Sequence, residues 1–192
     1  MKLQLAVLGI VLAVVPARAK GLTIDDMLAM QRVSDPAVSP DGKWVAFAVR
    51  ETDVAANRGR FDIWLASIDG VTVRRLTTSV ENDTDPSWSR DGKWIYFLSS
   101  RSGSSQVWRL AMAGGEAEQV TKLPADLNGY KLFPDGKRLA VAIDVWPAAK
   151  SLAESGKLDD AKAKSKLKVQ IYDQLLFRHW DQWEDGGPTP TC

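Results

Sequence analysis

The chain has 192 residues, a formal net charge of +1, 45% hydrophobic and 26% charged residues, the make-up of a globular protein with room for a packed core. A charge this close to neutral gives none of the electrostatic footprint expected of a nucleic-acid-binding protein. The single cysteine, Cys192, excludes an internal disulfide framework.

The first element is a leader. Lys2 supplies a positive start, Leu5 to Val15 is an unbroken apolar run, and Ala17-Arg18-Ala19 places small residues around a cleavage point. Residues 1–19 therefore read as a secretory signal peptide cut after Ala19. The apolar run is too short to cross ~30 Å of hydrocarbon comfortably. The expectation is a periplasmic or secreted protein with no stable membrane anchor after signal cleavage. Residues 20–33 follow as a helical lead, because Thr23-x-x-Asp26 has the form of a capping box and Ile24, Met27 and Leu28 follow at helical spacing.

From residue 34 onward the chain repeats itself. "SPDGKW" at 39–44 returns as "SRDGKW" at 89–94 and, more weakly, as "FPDGKR" at 133–138. Asp35-Pro36 and Asp85-Pro86 are 50 apart, whereas Trp64 and Trp108 are 44 apart, as are Thr77 and Thr121. One unit is thus 44 residues, and the first copy carries six more in the polar stretch "ETDVAANRGR". Each unit holds four short strands. In the first these are "DPAVS", "WVAFAVR", "FDIWLAS" and "TVRRLT"; in the second, "DPSWS", "WIYFLSS", "QVWRLA" and "AEQVT". Pro40-Asp41-Gly42, Asp69-Gly70 and Gly114-Gly115 mark the reversals between them. The second strand is apolar on both faces: Val45, Phe47 and Val49 on one, Trp44, Ala46 and Ala48 on the other. A strand of that kind packs between two neighbours. Units of ~40–45 residues with four strands are β-propeller blades.

The fold class is therefore all-β, an incomplete β-propeller of about three four-stranded blades with a short N-terminal helix and a helical insertion in the third blade. The partial propeller covers 34–192, with blade 1 at about 34–78, blade 2 at about 84–122 and blade 3 at about 128–192. In the third copy the expected strand is replaced by "AAKSLAESGKLDDAKAKSKLK", rich in Ala, Lys and Leu, which sets the helical insertion at 147–168. It reads as a solvated excursion broken near Gly156, with a partner-binding or gating element as the alternative. Strand pattern resumes at "VQIYDQLLFRHWDQWEDGG", where Asp185-Gly186 opens another hairpin, and the chain stops inside it.

The opening "LTIDDMLAMQRVSDPAVSPDGKWVAFAV", the blade "SRDGKWIYFLSSRSGSSQVWRLAMAGGEAEQVT" and the segment "YDQLLFRHWDQWEDG" together resemble the amino-terminal half of exported bacterial serine peptidases of the prolyl oligopeptidase family. The likeness is greatest to members of the dipeptidyl and acylaminoacyl peptidase type and covers nearly all of the mature chain. The "SPDGK" turn alone is shared by many propellers, including the periplasmic Tol-system propeller protein; "RHWDQW" and "LTIDDML…VSDP" are more specific. The resemblance implies a propeller that gates access of short peptide substrates to an α/β-hydrolase domain carrying a Ser-Asp-His triad. That hydrolase domain, the intramolecular partner, would follow this chain in sequence.

The residues themselves supply no catalytic constellation. No Gly-x-Ser-x-Gly elbow occurs, and the only histidine, His179, has no nucleophile suggested beside it. Asp181, Glu184 and Asp185 form a small acidic cluster that reads as a solvated turn rather than a metal site, and no Gly-rich phosphate loop is present. The expectation is no catalytic, metal-binding or cofactor-binding residue in this chain, and no cofactor. Trp44, Trp64, Trp88, Trp94 and Trp108 recur with the blades and read as packing residues. The functional expectation is a non-catalytic propeller portion of a secreted serine peptidase. The alternative is a stand-alone periplasmic propeller that binds a protein or peptide partner.

Overall fold

The computed structural model describes residues 21–166 and 169, together with the backbone of residues 178–179, 182–183 and 189–190. Helix α1 (Ile24–Ala29) opens it. The Asp26 N–H donates to Thr23 Oγ1 at 3.1 Å and the Thr23 N–H donates to Asp26 Oδ2 at 2.9 Å, closing the capping box seen in the sequence. These bonds to Thr23 hold the Asp26 carboxyl below its ordinary value.

Strands β1 (Arg32–Val38), β2 (Trp44–Asp53), β3 (Arg58–Ser67) and β4 (Val73–Arg75) pair in that order as an antiparallel meander, sheet 1. Strands β5 (Asp83–Trp88), β6 (Trp94–Ser99), β7 (Gln106–Ala111) and β8 (Glu118–Gln119) repeat it as sheet 2. Strands β9 (Leu127–Leu132) and β10 (Leu139–Val145) begin sheet 3. Helix α2 (Leu152–Lys164) comes next, then a short pair formed by β11 (Arg178–His179) and β12 (Gln182–Trp183). Last, β13 (Thr189–Pro190) pairs with β10, so the third sheet runs β13-β10-β9. The described residues form an open, incomplete β-propeller with short helices. Among them no helix is long and apolar enough to cross a membrane.

The six additional residues of the first copy form no loop. They lengthen the hairpin: pairing continues from Arg50↔Phe61 to Asp53↔Arg58, and the Ala56 N–H donates to Asp53 Oδ1 at 2.9 Å to close the turn. A polar insertion can extend both strands when its two halves pair with each other, because solvated side chains on both faces cost nothing there.

Two apolar clusters join the sheets. Ala46, Ala48, Ile63 and Leu65 of sheet 1 meet Ile95 and Phe97 of sheet 2, all fully buried or nearly so. Leu98 and Val107, on the other face of sheet 2, meet Leu127 and Tyr130 of sheet 3. Each large side chain so buried contributes about 1.5–3 kcal/mol. Strand β6 therefore uses both its faces, which is why its sequence shows no polar alternation.

Helix α2 departs from the break expected near Gly156: it runs through that glycine unbroken and is pinned along one side. Gly156 lies against the 123–126 segment, where an added Cβ would stand 1.8 Å from the Pro124 carbonyl oxygen. Next to it, the buried Ser155 Oγ accepts the Trp146 backbone N–H at 3.0 Å, and the Trp146 indole donates to Asp159 Oδ1 at 2.7 Å. The glycine thus serves close backbone approach. The helix is docked, not an excursion into solvent.

Candidate functional site

The recurrent turn is built the same way each time. The Gly42 N–H donates to the Ser39 carbonyl at 2.9 Å and the Ser39 N–H donates to the Trp44 carbonyl at 2.8 Å, which closes the reversal. The Ser39 hydroxyl donates to Asp41 Oδ1 at 2.6 Å, and that same oxygen accepts the Lys43 N–H at 3.1 Å. Ser89, Asp91 and Lys93 repeat these bonds at 2.6 and 3.1 Å. Gly42 and Gly92 take φ of 70° and 68°, which a side chain would strain. Ser67-Ile68-Asp69-Gly70, between β3 and β4, is a further copy of the turn, with Ser67 Oγ on Asp69 at 2.5 Å. In "FPDGKR" phenylalanine replaces the serine, and Arg138 Nε takes over as donor to Asp135 at 2.8 Å. The serine hydroxyls hold the Asp41, Asp69 and Asp91 carboxyls below their ordinary value, with the backbone N–H groups adding to the effect. For Asp135 the Lys137 N–H is the largest cause. These carboxylates are occupied by their own turns and are not poised for chemistry.

Three of these turns line up on one rim and leave two grooves between them. The first, about 390 Å³, runs between Pro40-Asp41 and Arg90-Asp91 over Trp44, Trp88 and Met112. The second, about 360 Å³, lies between Arg90-Asp91 and Pro134-Asp135 over Trp94 and Tyr96. Arg109 stacks on the Trp94 ring at 4.1 Å, and Arg90 donates across the groove to the Pro134 carbonyl at 3.1 Å. Both grooves have an aromatic floor and are bordered by a guanidinium.

Strands β1 and β5 lie side by side across the first interface, each with a bulge beside an Asp-Pro pair. Asp35 and Asp85 adopt φ of 52° and 53°, a left-handed conformation uncommon for a residue with a side chain. Burial raises the Asp85 carboxyl above its ordinary value, the nearby Asp35 charge raises it further, and Lys131 offsets part of this. In the third copy Gly129-Tyr130 stands where Asp-Pro is found in the others, and the Tyr130 hydroxyl donates to the Asp85 carbonyl at 2.8 Å. Burial pushes the Tyr130 phenol upward, so it stays a neutral donor.

Sequence reasoning missed two buried ion pairs. Asp83, fully buried, receives Arg101 at 2.7 and 2.9 Å, and the Arg101 guanidinium sits 5.3 Å from the Phe97 ring and 5.0 Å from Trp108. Asp62 is paired with Arg75 and Arg60. Nothing in the local sequence marks these carboxylates as internal; only their partners do, Arg75 on the adjacent strand β4 and Arg101 just past β6.

The residues weighed as catalytic or metal-binding fall on the part of the chain that is described by backbone alone or not at all. His179 lies on β11, its side chain outside the described residues, as do Asp181, Glu184, Asp185 and Cys192. Among the described residues no group of three His, Cys, Asp or Glu side chains could hold a metal ion.

A family model described as the TolB β-propeller domain matches residues 27–151. Dipeptidyl-peptidase 5 of Porphyromonas gingivalis is 30% identical over 169 residues, covering 88% of this chain and 24% of that protein. Dipeptidyl-peptidase 5 of Porphyromonas endodontalis is 26% identical over 167 residues, covering 87% of this chain and 23% of that protein. The chain spans about a quarter of the length of these relatives. Among solved structures, the AtxE2 isopeptidase superposes with a TM-score of 0.56 at 19% identity, over 76% of this chain and 25% of that one, a likeness of fold.

Proposed function

The chain belongs to the TolB β-propeller domain family, and from that premise we propose that it is the propeller portion of an exported peptidase. The observation that carries the reading is the extent of the likeness: 87–88% of the chain, not the turn motif alone, aligns with two dipeptidyl-peptidases about four times its length. The propeller's role in this reading is to screen substrate. A ring of blades in front of a hydrolase domain passes short or extended peptides and excludes folded chains, while a Ser-Asp-His triad elsewhere makes and breaks the bonds. The grooves over Trp44, Trp88 and Trp94 would contact peptide during passage. Residues 1–19 would direct export, leaving Lys20 as the mature N-terminus.

The test reads the gene beyond codon 192 and assays the product. Expected are further blades and a Gly-x-Ser-x-Gly elbow. The long product should be recovered outside the cytoplasm beginning at Lys20 and should hydrolyse peptidyl nitroanilides, while residues 20–192 alone do not. Unrelated downstream sequence, or hydrolysis by residues 20–192 alone, would overturn the proposal.

A further inference from the structure

The two rim grooves are repeats of one another, and the chain seats a guanidinium of its own in only one of them. The repeat spacing of 50 makes Pro40, Asp41 and Trp44 the counterparts of Arg90, Asp91 and Trp94. The spacing of 44 makes Leu65 the counterpart of Arg109. In the second groove the Arg109 guanidinium lies 4.1 Å from the centre of the Trp94 ring, and Glu118 Oε2 accepts from its Nε and Nη2 at 2.9 and 2.7 Å. Arg90 spans the same groove, its Nη1 donating to the Pro134 carbonyl at 3.1 Å. A planar guanidinium stacked on an aromatic ring and paired with a carboxylate is a stable combination.

The first groove keeps the seat and lacks the guanidinium. Its floor is Trp44, Trp88 and Met112, its walls carry Asp41 and Asp91, and it encloses about 390 Å³. Proline at 40 cannot reach across as Arg90 does, and Leu65 is fully buried in the core between sheets 1 and 2. Arg90 borders this groove as well, but its Nη1 is engaged by Pro134 on the far side. Lys93 Nζ stands 4.0 Å from Asp91 Oδ2, a loose pair of exposed side chains that solvent screens. Among the described residues no cation lies over Trp44 or Trp88. The turn bonds in both walls fall on Oδ1, which leaves Asp41 Oδ2 without a hydrogen bond among the described residues. Charge and shape thus match the cation that the repeat leads one to look for: two carboxylates over an aromatic floor.

We propose that the first groove binds an arginine side chain of a peptide, its guanidinium seated on the Trp44 and Trp88 floor between Asp41 and Asp91. The occupant is chosen by charge complementarity and by the chain's own precedent, Arg109 on Trp94 in the equivalent groove. Arginine is favoured over lysine because a planar, weakly hydrated guanidinium stacks on a ring, whereas an ammonium is a compact charge that holds its water. Binding of this kind needs neither a hydrolase domain nor bond cleavage, so it and the peptidase reading can fail separately.

An NMR titration of the purified full chain tests it. The probes are capped tripeptides, acetyl-Gly-Xaa-Gly-amide, with arginine, lysine or citrulline (the neutral isostere of arginine) in the middle. The arginine peptide should shift the indole N–H signals of Trp44 and Trp88 saturably. The citrulline peptide should bind about tenfold or more weakly, and the lysine peptide about threefold more weakly. Asp41→Asn keeps the oxygen that the turn uses and removes the charge, and should weaken the arginine peptide about threefold. Pro40→Arg installs at an exposed turn position the residue that the second copy carries there, so the fold should survive, as dispersed indole signals would verify. Its guanidinium should cross the groove as Arg90 crosses the second one and abolish binding. Absence of a saturable shift at Trp44 and Trp88 at the highest attainable concentration of the arginine peptide overturns the proposal. So does binding that survives Pro40→Arg, or a citrulline or lysine peptide that binds as tightly as the arginine one.

Discussion

Two interfaces join the three sheets, and they are built differently. Between sheets 1 and 2 the contact is apolar, with Phe97 and Ile95 over a pair of alanines and a leucine. Between sheets 2 and 3 a smaller apolar cluster is bordered by a hydrogen-bonded seam. Gln106, 1% exposed, donates to the Leu123 and Ala125 carbonyls at 3.2 and 3.1 Å and accepts from Thr121 Oγ1 and the Leu123 N–H at 2.9 and 3.0 Å. The Ser105 hydroxyl adds a bond to the Leu127 carbonyl at 2.8 Å. In sheet 1 the counterpart of Gln106 is Asp62, which is paired to arginines of its own sheet instead. Where two consecutive copies keep the repeat, the contact is mainly apolar, with the Trp88 indole donating to the Ala37 carbonyl at 2.9 Å and the Phe61 N–H to Asn82 Oδ1 at 3.1 Å. Where the third copy departs from it, the linker is fixed by polar bonds that specify one arrangement.

That contrast predicts a ranking. The largest effect belongs to Phe97→Ala, which opens a cavity in the dry interface and should cost about 3–5 kcal/mol, read as a lowered midpoint in urea. Gln106→Leu comes next. It fills the space but strands several backbone groups of 121–125, for a cost of about 1–3 kcal/mol. Its increase in amide exchange should centre on residues 121–130 and leave sheet 1 protected. If Gln106→Leu proves as costly as Phe97→Ala, or loosens both interfaces equally, the distinction between them collapses. The smallest effect is that of Ser89→Ala, confined to a turn outside both interfaces. The Asp91 carboxyl, now held below its ordinary value, should rise toward it in an NMR titration. The sign follows from linkage. A depressed folded value stabilises above the ordinary carboxylate value and loses that contribution as pH falls through the folded value. Ser89→Ala should therefore flatten the acid limb of the stability curve. Asp85 has the opposite sign, since its raised value imposes a cost that grows as pH rises through the window above the ordinary value.

The repeat, the turn and the blade tryptophans were legible because each depends on local spacing. Trp88 and Trp108 pack on the first cluster as their phase predicts. The long β2–β3 hairpin was not legible, because "ETDVAANRGR" has turn and charged residues that suit a loop equally well. Gly156 misled for a related reason: helix propensity counts a glycine as a break and cannot know that Pro124 approaches on that side. Asp62 and Asp83 escaped notice because carboxylates read as surface residues unless a buried partner is known. That the chain holds no catalytic, metal-binding or cofactor-binding residue stays an expectation read from the sequence.

Sheet 2 is the one described sheet with a neighbour on both of its faces. In a linear array of units that touch only nearest neighbours, stability is a sum of unit terms and junction terms. Loss of an end sheet removes one junction; loss of sheet 2 removes both. Thermal opening should therefore begin at the ends and proceed inward, with β6 the last strand to give up its amide protons.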